Sequence, residues 1–116
     1  MRRDQQRLID LLEALAWITK SFADRTEAEF VGDETLCFAV AQRLTVIGEA
    51  VARLTPELKA KYASIPWTDI VGLRNILVHE YFGIHWPLVW QTSADQVPIL
   101  LTKVSEILKA ESPSLR

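Results

Sequence analysis

The sequence predicts an all-α fold: a bundle of four to five helices in one domain spanning residues 1–116. Three observations carry this. Apolar residues recur at three- and four-residue spacing through every long window, as one face of a helix requires. Four glycines and five prolines, mostly at segment edges, leave those windows uninterrupted. No stretch shows the two-residue alternation of a half-buried strand.

The elements follow in order. Leu8, Leu11, Leu12, Leu15, Ile18 and Phe22 share helical spacing, which predicts a first helix over about residues 4–23. The polar stretch from Asp24 to Asp33, with Gly32 inside it, reads as a loop. Asp33 or Glu34 then opens a second helix carrying Leu36, Val40, Leu44, Ile47, Val51 and Leu54. At Thr55-Pro56-Glu57 the chain stops and restarts, because proline suits the first turn of a short helix, here one bearing Leu58 and Tyr62. Ser64 to Asp69 is a second break, with Thr68 or a neighbour placed to cap a third helix running to about Tyr81. Gly83 is the candidate left-handed residue at its end. His85-Trp86-Pro87 begins a short segment with Trp90. Pro98 then suits the first turn of a last helix containing Ile99, Leu100, Val104, Ile107 and Leu108. The tail from Ser112 to Arg116 is expected to fray.

Composition narrows the class. Hydrophobic residues at 49% and charged residues at 24% suit a folded domain with one core. No apolar run is read as approaching a membrane span, and Met1-Arg2-Arg3-Asp4 leads into an amphipathic pattern without a signal-peptide core. The expectation is a cytoplasmic protein with no membrane contact. The single Cys37 excludes an internal disulfide and a cysteine pair for zinc, and reads as a small core residue. A net charge of −2 argues against a broad basic nucleic-acid surface, but leaves room for a phosphate site of one or two arginines.

The third helix is where polarity and position conflict. Arg74, Asn75, His79 and Tyr81 sit in a stretch otherwise made of Ile70, Val71, Leu73, Ile76, Leu77 and Val78. Charged groups on such a surface are costly unless paired or used. On a regular helix Arg74 and Tyr81 lie about 20° apart and share a face, and Asn75 and His79 share an adjacent one. Arg74 and His79 are then about 140° apart, too far to converge readily on one atom. A helix apolar almost all round is covered on more than one side, and in a domain this small a second protomer is the expected cover. A two-fold axis would bring both copies of Arg74 and His79 to one cleft, so one motif histidine per chain becomes two.

Arg74-Asn75 followed by His79 resembles the signature of HEPN domains. Ile47-Gly48-Glu49-Ala50, Ile65-Pro66-Trp67 and the run from Gly72 through Gly83 are similar to the HepT-like branch. The resemblance covers nearly the whole chain, most clearly from the second helix to Trp90. It implies an antiparallel helical bundle, a homodimer, and in many members metal-independent endoribonuclease activity. HepT-like members act as toxins beside a small nucleotidyltransferase antitoxin of the MNT type. The resemblance implies that this partner neutralises the toxin by transferring AMP from ATP to the motif tyrosine, here Tyr81. The chain itself then needs no metal or cofactor, ATP being used by the partner. By the same resemblance Arg74 and His79 are catalytic and Asn75 supports them.

The chemistry of the residues fits that expectation. RNA carries its own nucleophile, the 2′-hydroxyl, so histidine as base or acid and arginine on the phosphate oxygens can suffice. Asn75 would orient the imidazole or bond the phosphate, and Glu49 would pair with Arg74 or shape the cleft. The plainer readings stand beside these. Arg74 is alternatively a buried ion-pair partner of Glu49 or Asp69, His79 a structural histidine, and Tyr81 a packing residue. Two further functions compete: a HEPN dimer without cleavage activity that serves the nucleotidyltransferase as substrate, and a helical interaction module. Trp67, Trp86 and Trp90 read as core or interface anchors, His85 as a loop residue, and Arg2, Arg3 and Arg7 as a modest basic patch.

Overall fold

The computed structural model describes residues 2–78 and 83–111, all of whose regular structure is helical. Seven helices run along these residues: α1 (Arg2–Phe22), α2 (Glu27–Val31), α3 (Glu34–Ala52), α4 (Pro56–Lys61), α5 (Trp67–Gly72), α6 (Asn75–Val78) and α7 (Trp86–Glu111). The three long ones, α1, α3 and α7, form the bundle, with α1 packed against both others. Their directions follow from contacts at the ends. Asp4 at the start of α1 accepts from the Thr55 backbone N–H at 2.9 Å, just past the end of α3. At the far end of α1, Phe22 stacks on Trp90 of α7 at 4.2 Å. Helix α1 is therefore antiparallel to α3 and to α7.

The apolar stripes meet as their spacing requires. Leu8, Leu11, Leu15 and Ile18 of α1 are buried against Val40, Leu44, Ile47 and Val51 of α3 and Val89, Val97, Val104 and Ile107 of α7. Leu12 and Phe22 lie at the edge of that core. Helix α3 is by length and composition apolar enough to cross a membrane, which the sequence reading did not anticipate. Its apolarity has a local cause, since Leu36, Cys37, Val40, Leu44, Ile47 and Val51 are all buried in the bundle. Burial raises the Cys37 thiol pKa, with Asp33 and Glu34 adding to it, and Sγ contacts the Phe30 carbonyl.

Four local expectations are corrected. The polar stretch after Asp24 is not all loop: Thr26 and Glu29 form a reciprocal capping box that starts α2 and delivers Phe30 to the core. The third helix is not continuous to Tyr81. It begins at Trp67 behind Pro66, without a Thr68 cap, and breaks at Leu73-Arg74. Around the break the backbone bonds shorten to three-residue steps, Leu73 to Ile70, Ile76 to Leu73 and Leu77 to Arg74, the tighter winding of a 3₁₀ turn. Gly83 has φ 159°, far from the left-handed helical value. Finally, the two predicted segments after Gly83 are one 26-residue helix with Pro98 inside it, and Ile99 points out, 58% exposed. His85 stands just before that helix and caps it, its Nδ1 accepting the Leu88 N–H at 3.1 Å.

Candidate functional site

Arg74 sits at the break between α5 and α6, and its head is held by α3. Its Nη1 donates to Glu49 Oε1 at 2.8 Å. The side chains are 37% and 49% exposed, so the pair lies at the surface, unlike the buried ion pair considered from sequence. Asp69 is not its partner. An exposed pair of this kind stabilises a fold by only about 0.2–1 kcal/mol, so its main effect is to fix where the guanidinium points.

Gly48 makes this possible, and the sequence reading gave it no role of its own. A Cβ at Gly48 would stand 3.0 Å from Arg74 Cδ, 3.2 Å from its Cβ and 3.3 Å from its Cγ. The arginine stem thus lies across α3 where any other residue would push it away. The signal was present, since a glycine inside an otherwise strong helix costs about 1 kcal/mol and implies a close approach.

Asn75 opens α6, is exposed, and makes no side-chain hydrogen bond among the described residues. Ile70 and Leu73 are buried, whereas Val71, Ile76 and Leu77 are only partly covered. A groove of about 550 Å³ runs beside them, between α5, α6 and α7, with Ile76, Ile99 and Leu100 among its lining. His79 and Tyr81 lie outside the described residues, as does Glu80. The interruption at Leu73-Arg74 removes the regular-helix premise behind the 20° and 140° separations.

Trp67 is structural: its Nε1 donates to the Lys59 and Tyr62 carbonyls, both at 3.1 Å, fastening α5 to α4. Trp86 packs edge-on to Phe30 and Phe38, completing an aromatic cluster at the other end of the bundle.

The HepT-like family, described as ribonuclease HepT-like, matches residues 11–107. The chain belongs to the HepT-like ribonuclease family. Its relatives agree. The chain is 41% identical over 72% of its length to 74% of a protein of Caldanaerobacter subterraneus subsp. tengcongensis named "Putative RNase". It is 37% identical over 88% of its length to 84% of a "Putative RNase" of Methanocaldococcus jannaschii. It is 30% identical over 93% of its length to 98% of the "Probable ribonuclease HepT" of Thermococcus cleftensis. No solved structure matches. Membership of this family and the names of these HepT-like relatives support a ribonuclease.

Proposed function

We propose that this HepT-like chain is a toxin endoribonuclease that cleaves RNA without a metal, using Arg74 and His79 in a cleft shared by two copies. The observation that carries the reading is the Arg74 geometry: a half-exposed guanidinium, cradled by Gly48 and aimed by Glu49, five residues before the motif histidine in sequence. A permanently charged fork at the surface suits phosphate oxygens and the charge that builds on them in the transition state.

In the proposed step the 2′-hydroxyl oxygen attacks phosphorus and its proton passes to His79 of one copy. The bond from phosphorus to the 5′-oxygen breaks, and the leaving oxygen takes a proton from His79 of the second copy. The products carry a 2′,3′-cyclic phosphate and a 5′-hydroxyl. Asn75, at the start of α6, is assigned to orient the imidazole or bond the phosphate. The incomplete cover over Val71, Ile76 and Leu77, with the apolar groove beside them, supports a second copy as partner. Tyr81 is the proposed AMP acceptor: its hydroxyl oxygen would attack the α-phosphorus of ATP on an MNT-type nucleotidyltransferase antitoxin, losing its proton and releasing pyrophosphate.

The test is cleavage of single-stranded RNA by purified protein in EDTA. Arg74→Ala and His79→Ala should each lower the rate at least about 100-fold, the scale of one acid–base or charge-stabilising group. Equal rates for wild type and His79→Ala would refute the mechanism. Incubation with the partner and ATP should add the mass of AMP to wild type and not to Tyr81→Phe. Labelling of Tyr81 in a protein that never cleaves RNA would favour the non-catalytic role as nucleotidyltransferase substrate.

A further inference from the structure

A second concavity adjoins the Arg74 site. A cleft of about 300 Å³ is lined by Arg7 and Asp10 of α1 with Val46, Glu49, Ala50 and Arg53 at the C-terminal end of α3. Glu49 belongs to both places, because the carboxylate on this wall is the one that binds the Arg74 guanidinium at 2.8 Å.

The charges in the cleft are unequally satisfied. Glu49 is matched by Arg74, and Asp10 accepts from Gln6 Nε2 at 3.0 Å and lies 3.7 Å from Arg7. Arg53 has no ion pair and no side-chain hydrogen bond among the described residues. The lining thus carries Arg7 and Arg53 against Asp10 and Glu49, and Arg74, outside the cleft but bound to Glu49, adds a third guanidinium, a local positive excess within a chain of net charge −2. Val46 adds apolar surface between the charged rims, above the buried Ala50. Arg53 lies four residues beyond Glu49, an axial step of about 6 Å, which is comparable with the distance between neighbouring phosphates on one strand.

We infer that this cleft is a subsite for the RNA strand beside the scissile bond, with Arg53 and Arg7 on a neighbouring phosphate and Val46 against the ribose and base. The inference rests on the ribonuclease reading of the Arg74 site and deepens it. Contacts of this kind position a strand without reading its sequence. They also confine the basic surface to a short track, which reconciles strand binding with an acidic chain.

Binding and cleavage can be separated experimentally. The probe is a short single-stranded oligonucleotide with 2′-methoxy groups, which lacks the nucleophile and cannot be cleaved. Its affinity is measured by fluorescence anisotropy over a salt series. Arg53→Gln and Arg7→Gln should each weaken binding about tenfold and flatten the slope of log affinity against log salt by about 0.7, the single-strand value for one lost phosphate contact. Lys20→Gln, which removes the same charge at the opposite end of α1, should do neither. Unchanged affinity and slope in the two arginine variants would overturn the subsite, as would an equal loss in Lys20→Gln or absence of binding by wild type. Normal probe binding with no RNA cleavage by wild type would instead defeat the ribonuclease mechanism and leave the cleft as a strand-binding surface.

Discussion

Glu49, Gly48 and Arg74 illustrate how little stability the proposed site needs from its own residues. The ion pair is too exposed to hold the fold together, and the glycine weakens its own helix. Their combined effect is to place one guanidinium. This gives an expectation at the residue scale for Gly48→Ala. The new methyl gains about 1 kcal/mol of helix propensity but meets the Arg74 stem at 3.0–3.3 Å, so the arginine must shift. Thermal stability should stay within a few degrees of wild type while RNA cleavage falls about tenfold, with Gly48→Ser falling at least as far. Wild-type cleavage by Gly48→Ala would show that the cradle does not matter. Most of this was hidden in the sequence. Arg74, Asn75 and Glu49 were visible as candidates, but the spacing of 48, 49 and 74 carries no periodic mark. Only the packing of α3 against α5 brings them together.

Among the elements, α1, α3 and the proline-started α4 are legible in the sequence, whereas α2, the break between α5 and α6 and the continuity of α7 are not. Helices α1 and α3 show strong apolar periodicity, and the positions it marks, with Leu54 just past α3, are buried except Leu12 and Phe22 at the edge of the core. Helix α2 was missed because five residues are too few to show a period, although Thr26 and Glu29 announce it through their caps. The break at Leu73-Arg74 was missed for the opposite reason, since the apolar run continues across it. Pro98 misled because proline normally marks a helix start. Within α7 its ring has no N–H to complete the backbone ladder, yet buried Val97, Leu100 and Val104 on both sides hold the helix together. Proline inside a helix costs about 3 kcal/mol, and position 98 is exposed. Pro98→Ala should therefore stabilise the protein by about 1–3 kcal/mol, seen as a higher urea midpoint with unchanged slope. A lower midpoint would mean that the ring itself is an essential packing element.

Across the whole molecule, two polar clasps close what the apolar stripes leave open, and neither could be read from spacing because the partners are about 50 residues apart. At one, Asp4, 2% exposed, accepts from both the backbone and the hydroxyl of Thr55 and fixes the start of α1 to the entry of α4. At the other, Glu111 at the end of α7 accepts from the Tyr62 hydroxyl and pairs with Lys61 Nζ at 2.8 Å, tying α7 back to α4. The Lys61 ammonium, then the Tyr62 hydroxyl, hold the Glu111 carboxyl below its ordinary pKa of 4.5. Glu111 in turn raises Lys61 and Tyr62 above their ordinary 10.5 and 10.0. A carboxyl with a lowered folded pKa contributes stability that is present above its unfolded value and lost as pH falls through the folded one. The raised pair contributes stability that is present below their unfolded values and lost as pH rises through the folded ones. The clasp is thus complete from about pH 5 to about pH 9 and fades on both sides. Urea midpoints of wild type and Glu111→Gln should differ most within that window and converge towards acid, where the carboxylate is protonated, and towards strong alkali, where its partners lose their protons. A gap between the two proteins that stays constant across the pH range would assign the loss to packing at the end of α7 and not to the charged clasp.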